Sequence, residues 1–342
     1  MNHFALITNV NHIMERVRNV LHQEMTYELG PDYISCDPSL VHQDLIRFRF
    51  CKKFSRPSSS NDSLRREKSI DGWLALEEKL SNFTYSPNWE QRWTCMRASS
   101  WLHKHLKYVS IGDVSAPIEF TPGESYHSNK GLTSVRQKLN NLKHWTVTWE
   151  AADLAADLVF SHNALRECAL KHISIVMPDH PINTTCSVNY AFYRASFVQM
   201  VKDYLFRYVN GARMALVPKD NEKDRVINVE PTFNMLLQRQ LGLILRSLLK
   251  KLGNDLETGQ SDHRRLIADM RKATIDFSSA SDSHILAMFK MMFPKHVVDY
   301  ILKIRSHMTW IKDRDVEVYN FKLSSMGNGF TFEIMTLLLL SI

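Results

Sequence analysis

Apolar positions recur at intervals of three or four residues along several long stretches of this chain, which is the spacing of an amphipathic helix. The pattern predicts helical structure near the amino terminus, across most of residues 70–106 and from about 149 to 170. A longer helix is predicted to begin at Pro231 and to run to about Lys251. This periodicity indicates packing and carries no chemistry by itself.

Three segments interrupt the helical pattern. Residues 54–68 are rich in Ser, Pro and Asn, so we expect a solvated loop whose basic side chains either contact phosphates or form a solvated charge run. Residues 118–125 predict a strand followed by a Pro-Gly turn. Residues 190–208 alternate aromatic and basic side chains. That alternation fits base stacking with phosphate neutralisation, and it fits a buried amphipathic helix equally well.

The composition is that of a folded, basic protein. The 342 residues include 43 Lys and Arg against 36 Asp and Glu, a net charge of +7, and 44% of them are hydrophobic. These values argue against disorder, and no apolar stretch reaches the ~20 residues that a membrane-spanning helix needs. The amino terminus lacks the features of a signal peptide, and the five cysteines form no CxxC pair. We therefore expect reduced thiols in a cytosol, no structural zinc and no membrane association.

Three cations cluster in the segment 217–231. Lys219, Lys223 and Arg225 project to one face if this segment is extended, with acidic residues on the other face. Three positive groups on one face suit a triphosphate, whose charge they would offset. A mixed-charge surface hairpin explains the same pattern.

A second candidate element covers residues 273–283. A short strand is predicted to end at Asp276, beside a turn of small residues that leaves room for Mg²⁺ and its bound waters. Asp282 is expected near the same cleft, where it can accept a hydrogen bond from a sugar hydroxyl. The alternative is that Asp276 only caps the turn that follows it.

A third candidate element, residues 324–333, precedes an apolar helix. Gly327 and the glycine two positions later permit unusual backbone angles around Asn328, as a loop requires when it approaches a ligand closely. Ser325 and Thr331 offer hydroxyls to a nucleotide or to the start of the helix. A glycine-rich helix entry without a function remains the alternative.

The order and spacing of these elements carry a family resemblance. VPKDNEKDRVINVEPTFNM, then TIDFSSASDS, then SSMGNGFTFE closely resembles the RNA-directed RNA polymerase of the single-stranded RNA bacteriophages, the leviviral replicase subunit. The close match covers about residues 211–342, and the segments FTPGES and LTSVRQKL upstream are similar more weakly.

The resemblance implies an α+β right-hand polymerase with an antiparallel palm sheet. Residues 1–69 would form an N-terminal helical extension with the Ser-rich loop, residues 70–270 the fingers, and residues 271–342 an incomplete palm. The family's palm motif Tyr-Gly-Asp-Asp and its thumb do not occur in these 342 residues. We therefore expect either part of a longer polymerase or a divided replicase. In the second case this chain is a non-catalytic RNA-binding half that needs a second chain carrying Gly-Asp-Asp.

The resemblance also implies residue roles. The three cations match the family's motif for the incoming ribonucleoside triphosphate, Asp276 matches the palm aspartate that binds Mg²⁺, and Asp282 matches the residue that senses the ribose 2′-hydroxyl. The loop that positions the sugar and the template strand is matched by Ser325, Gly327, Asn328 and Thr331. Expected partners are RNA template and product, ribonucleoside triphosphates, host elongation factors Tu and Ts and a ribosomal protein, in the cytoplasm of an infected bacterium.

Overall fold

The fold consists of helices around two small sheets. The structure, a computed structural model, describes residues 62–113, 115–121, 123–127, 134–176, 190–219, 223–259, 266, 271 and 280–342. The α-helices in these ranges are α1 (Asp62–Ser81), α2 (Trp89–Leu106), α3 (Val135–Asn140), α4 (Ala152–Ser161), α5 (Asn163–Val176), α6 (Tyr190–Met200), α7 (Thr232–Lys251), α8 (Leu286–Met292), α9 (Lys295–Ile304) and α10 (Thr331–Ser341).

The larger sheet is mixed rather than wholly antiparallel. The described strands are β1 (Thr146–Val147), β2 (Arg207–Tyr208), β3 (Gly211–Pro218), β4 (Asp224–Val229), β5 (Met308–Ile311) and β6 (Val316–Tyr319). Strands β1 and β2 form a parallel pair, and the other four lie in the order β4-β3-β5-β6. β3 and β5 run parallel, whereas β5 and β6 run antiparallel. The predicted palm strand before Asp276 lies outside the described residues.

Contact clustering divides the chain into two compact units. One comprises residues 1–75 and 216–226, and the other residues 76–215 and 227–342. Helix α1 passes residues 69 and 70 without a break. The assignment of segments to fingers and palm stays a prediction.

Helix α7 lies at the centre of the core of the second unit. Its predicted bounds are confirmed, since it begins after Pro231 and ends at Lys251. One stripe of this helix, formed by residues spaced four apart, is almost completely inaccessible to solvent. It consists of Phe233, Leu237, Leu241, Leu245 and Leu249. The core continues through apolar side chains of α2, α4, α5, α9 and α10.

Two predictions of helix bounds are wrong. Part of the expected loop at 54–68 is helical, because α1 begins at Asp62, and the remainder lies outside the described residues. The expected helix at 149–170 is two helices, which are interrupted at His162. Arg166 donates hydrogen bonds to the Phe160 carbonyl (2.7 Å) and to Asn163 Oδ1 (2.7 Å), which satisfies polar groups at the interruption.

Other predictions are confirmed in part. Residues 70–106 are helical except for a break between α1 and α2. The strand predicted within residues 118–125 is wrong, since residues 118–121 form no strand, and residue 122 of the predicted turn lies outside the described ranges. The aromatic residues of 190–208 divide between core and surface, with Phe197 fully buried and Tyr190 70% exposed. The predicted helix near the amino terminus lies outside the described residues. Within the described part of the chain, none of the helices has the length and apolar character that a membrane crossing requires.

Candidate functional site

The three predicted cations lie at the tip of a β-hairpin. β3 and β4 are neighbours in the sheet, and the Lys219 amide donates a hydrogen bond to the Lys223 carbonyl (3.2 Å). The side chains of Lys219, Lys223 and Arg225 are exposed, whereas Asp224 between two of them is buried. The alternation of the strand therefore places acidic Asp224 on the face opposite to basic Arg225, as the sequence predicted. The acidic residues at positions 220 and 222 lie outside the described residues.

Buried contacts anchor the start of β4. Asp224 Oδ1 lies 2.9 Å from Arg65 Nε in α1, and both side chains are less than a tenth exposed. The Asp224 backbone amide also donates a hydrogen bond to the Ser69 hydroxyl at 3.0 Å. Deleting one member of such a buried ion pair lowers the folding stability far more than deleting one member of an exposed pair. These contacts hold the hairpin against α1 and leave its cations facing solvent.

Asp282 lies in a single 3-10 turn and forms an ion pair with a buried lysine. Lys322 Nζ is 3.0 Å from Asp282 Oδ1 and 3.2 Å from Glu77 Oε1. The Lys322 side chain is fully buried, whereas the Asp282 side chain keeps 26% of its surface exposed. One carboxylate edge of Asp282 is therefore held from within the protein while the side chain remains accessible. Asp276, the predicted metal ligand, lies outside the described residues.

A buried arginine fixes the segment that leads into the glycine-containing loop. The guanidinium of Arg305 donates to the carbonyls of Asn320 (2.9 Å), Lys322 (2.9 Å) and Leu323 (3.2 Å). The Glu77 carboxylate accepts a hydrogen bond from the Phe321 amide at 2.7 Å. The backbone that carries Lys322 is thus fixed from both sides before the loop begins.

The loop itself closes on its own side chains. The Ser325 amide donates to Asn328 Oδ1 at 2.6 Å, and the Thr331 hydroxyl donates to the Ser325 carbonyl at 3.1 Å. Gly327 has φ +113°, and a Cβ there would lie 2.3 Å from the Asn228 carbonyl oxygen of β4. Only glycine fits a positive φ combined with so close a backbone approach. The predicted residues of this loop are therefore brought together, with Asn328 directed inward to hold it.

The structure adds Glu230, which the sequence analysis missed. Its carboxylate accepts hydrogen bonds from Ser306 (2.7 Å), Gln238 (3.0 Å) and Asn328 (2.9 Å). Burial raises the pKa of Glu230 to about 7, although these hydrogen bonds and the charge of Arg305 act in the opposite direction. A sequence signal existed, because positions 228 and 230 are polar and share one face of an extended segment.

Asn228, the neighbour on that face, connects the sheet to the loop. Its amide nitrogen donates to the hydroxyls of Thr309 (2.8 Å) and Ser325 (3.1 Å). The Asn228 backbone amide donates to the Met326 carbonyl at 2.8 Å. Strand β4, strand β5 and the loop therefore share one buried polar network.

A cavity of about 230 Å³ adjoins this network. Its wall includes Phe120, Lys138, Asn228, Glu230 and Gly327. Burial lowers the pKa of Lys138. The volume is below the 300–1,000 Å³ typical of ligand pockets, so the cavity suits a ring or a sugar rather than a complete nucleotide.

The described residues do not supply a metal site. They contain no group of three or more His, Cys, Asp or Glu side chains that could hold a metal ion. Asp282 is already paired with Lys322. The Mg²⁺ prediction thus depends on Asp276.

Comparison with known proteins gives a consistent set of relatives. A family model described as RNA replicase, beta-chain, matches residues 94–342. The RNA-directed RNA polymerase beta chain of Enterobacteria phage GA is 37% identical over 257 residues, which are 69% of this chain and 47% of that one. The corresponding protein of Escherichia phage MS2 is 40% identical over 146 residues, 41% of this chain and 26% of that one.

The RNA-directed RNA polymerase subunit beta of Escherichia virus Qbeta is 38% identical over 129 residues, 37% of this chain and 22% of that one. In each of these comparisons the aligned segment covers less than half of the relative.

Proposed function

Because this chain belongs to the RNA replicase beta-chain family, we propose that it provides the nucleotide-selecting part of an RNA-directed RNA polymerase. The observation that carries the proposal is the loop at 324–331, where Gly327 lies against the backbone of β4 and a buried polar network fixes the surrounding side chains. Such prior order is what a site needs to hold a substrate in reactive geometry.

The proposed reaction is template-directed nucleotidyl transfer. The 3′-hydroxyl of the growing RNA attacks the α-phosphate of a ribonucleoside triphosphate, a new phosphodiester bond forms, and pyrophosphate leaves. The hydroxyl proton passes to solvent or to a nearby base. Mg²⁺, when bound at Asp276 together with further carboxylates, would activate the attacking oxygen and stabilise the leaving group.

Each described side chain has a distinct proposed role. The exposed cations Lys219, Lys223 and Arg225 offset negative charge on the β- and γ-phosphates. Asp282, oriented by Lys322, accepts a hydrogen bond from the ribose 2′-hydroxyl and so favours ribonucleotides. The loop at 324–331 is proposed to position the sugar of the incoming nucleotide.

The proposal extends to partners and place of action. The RNA template and the product strand are the expected nucleic acids, and the positive net charge favours their phosphates. Elongation factors Tu and Ts and a ribosomal protein are proposed host partners on family resemblance alone. The relatives come from phages, so the proposed place of action is the infected bacterial cell.

Template-directed incorporation of labelled ribonucleotide tests the proposal. We expect Asp276→Asn, introduced into the replicase expressed from the phage genome, to lower the rate by at least ~10³-fold. Asp299→Asn is the matched control, because Asp299 is exposed and, among the described residues, pairs with Lys295 one helical turn away. It should leave the rate unchanged. An Asp276→Asn enzyme that works at a near-normal rate contradicts the proposal. It would favour a non-catalytic, RNA-binding role for this chain.

A further inference from the structure

The buried carboxylate of Glu230 accepts hydrogen bonds from three side chains among the described residues. The donors come from three separate parts of the chain: Ser306 before β5, Gln238 in α7 and Asn328 in the loop. Glu230 is 4% exposed, so water does not replace any of them. A buried carboxylate with three donors has its acceptor capacity well used.

Each of the two amide side chains in this set makes a further hydrogen bond through its oxygen. Asn328 donates from Nδ2 to Glu230 and accepts the Ser325 amide at Oδ1. Gln238 donates from Nε2 to Glu230 and accepts the Gly329 amide at Oε1, at 3.0 Å. Both amides thus connect the carboxylate on one side with a backbone N–H of the loop on the other.

We infer that Glu230 is a positioning residue that sets the orientation of the Gln238 and Asn328 amides and thereby fixes the loop at 325–329. When ionised, the carboxylate can only accept hydrogen bonds, so both NH₂ groups point toward it. The Ile304 carbonyl, which accepts from Gln238 Nε2 at 3.0 Å, favours the same orientation of that one amide. The oxygens of both amides then necessarily face the loop and accept its backbone amides. A side chain at position 230 that could also donate a hydrogen bond would allow either amide to exchange the positions of its NH₂ group and its oxygen.

The alternative orientation would be costly. If the Gln238 amide turned over, its NH₂ group would face the Gly329 N–H, and two donors would oppose each other in a buried position. An unsatisfied buried donor costs about 1–3 kcal/mol. Gly329 lies close against α7, since a Cβ there would lie 2.8 Å from the Arg239 amide nitrogen.

The electrostatic surroundings agree with this role. Arg305 is the charged group that acts on Glu230 among the described residues, and it favours the ionised form. The three donors act in the same direction, whereas burial opposes ionisation. The three donors and Arg305 therefore offset part of the cost of burying the charge, and the carboxylate is ionised above a pH of about 7.

Hydrogen–deuterium exchange on this chain tests the inference without any catalytic assay. We expect Glu230→Gln, which has nearly the same shape, to speed exchange of the Ser325 and Gly329 amides at least tenfold. Glu333→Gln is the matched control, because Glu333 is equally buried but pairs with Arg246; both loop amides should keep their protection. Unchanged protection in Glu230→Gln, or equal loss in the control, overturns the inference.

A second variant separates the two amide connections and covers the case in which Glu230→Gln does not fold. Gln238→Met keeps the length of the side chain but removes the acceptor for Gly329. We expect faster exchange at the Gly329 amide and retained protection at Ser325, which Asn328 still holds. Equal protection of Gly329 in this variant contradicts the inference.

The consequence for catalysis rests on the proposed function. In the replicase, Glu230→Gln should raise KM for ribonucleotides about tenfold with a smaller change in kcat, because a disordered loop weakens substrate binding. Glu230→Asp, which keeps an acceptor-only group, should recover part of the loss. If the loop amides lose protection and KM stays unchanged, the loop does not bind the nucleotide and the proposed function fails. If the amides stay protected, the positioning role fails instead.

Discussion

The ionisation of Glu230 predicts a definite dependence of stability on pH. The perturbation is Glu230→Gln, which replaces the titrating carboxyl by a neutral group of similar size. Burial raises the pKa of Glu230 in the folded chain from an ordinary 4.5 to about 7. The unfolded chain therefore loses this proton at lower pH than the folded chain does.

The sign and size of the effect follow from this difference. A group whose pKa is raised on folding contributes stability that is complete below the unfolded pKa and is lost as the pH rises through the folded pKa. A rise from 4.5 to about 7 corresponds to about 3 kcal/mol, at 1.36 kcal/mol for each pH unit. The wild-type chain should therefore lose about 3 kcal/mol relative to Glu230→Gln between about pH 4.5 and pH 7.5.

Urea unfolding of both chains at a series of pH values measures this difference. Other titrating groups affect both chains alike, so their contribution cancels in the comparison. A difference between wild type and Glu230→Gln that stays flat across this range, or that grows in favour of the wild type as the pH rises, would refute the reasoning.

Three further predictions concern the loop, the buried lysine and the hairpin. Gly327→Ala should lower the free energy of unfolding by at least ~2 kcal/mol, because of φ +113° and a backbone clash, whereas Gly72→Ala in α1 should be neutral or stabilising in the same thermal unfolding assay. Lys322→Met should cost ~3–5 kcal/mol in urea unfolding, since it leaves a buried carboxylate unpaired; a loss below ~1 kcal/mol would contradict this. Lys219→Ala and Arg225→Ala should change stability by less than ~0.5 kcal/mol, because both residues are exposed, and should raise KM for ribonucleotides in steady-state incorporation. An unchanged KM would remove these residues from the proposed site.

The fold was predictable where local chemistry decides it. Pro231 and the apolar stripe behind it correctly predicted α7, and the alternation around Arg225 correctly predicted an extended segment with its cations outward. The helical start of α1 was not predictable from composition, because the contacts between Arg65 and Asp224 that hold it are distant in sequence. Similarly, Thr148 was not recognisable as a partner of Asn234, with which it exchanges two hydrogen bonds across 86 residues.

The candidate site follows the same division. Gly327 and its neighbours were recognisable, because glycine and hydroxyl residues before an apolar helix indicate a loop that closely approaches a ligand or another backbone segment. Glu230 was missed, because a single carboxylate before a proline does not reveal donors that lie 76 and 98 residues away. Lys322 was missed for a similar reason, since its role comes from ion pairs with Glu77 and Asp282, which are distant in sequence. Long-range polar contacts of this kind leave little trace in a single sequence.

The central claim is that residues of this chain select the incoming ribonucleotide. Its most direct test is the ratio of kcat/KM for a ribonucleotide to that for the 2′-deoxy analogue, measured in the phage replicase with Asp282 and with Asp282→Asn. The account predicts that the ratio falls at least tenfold in the variant while template-directed incorporation of the deoxy analogue persists. An unchanged ratio in an active enzyme would contradict it.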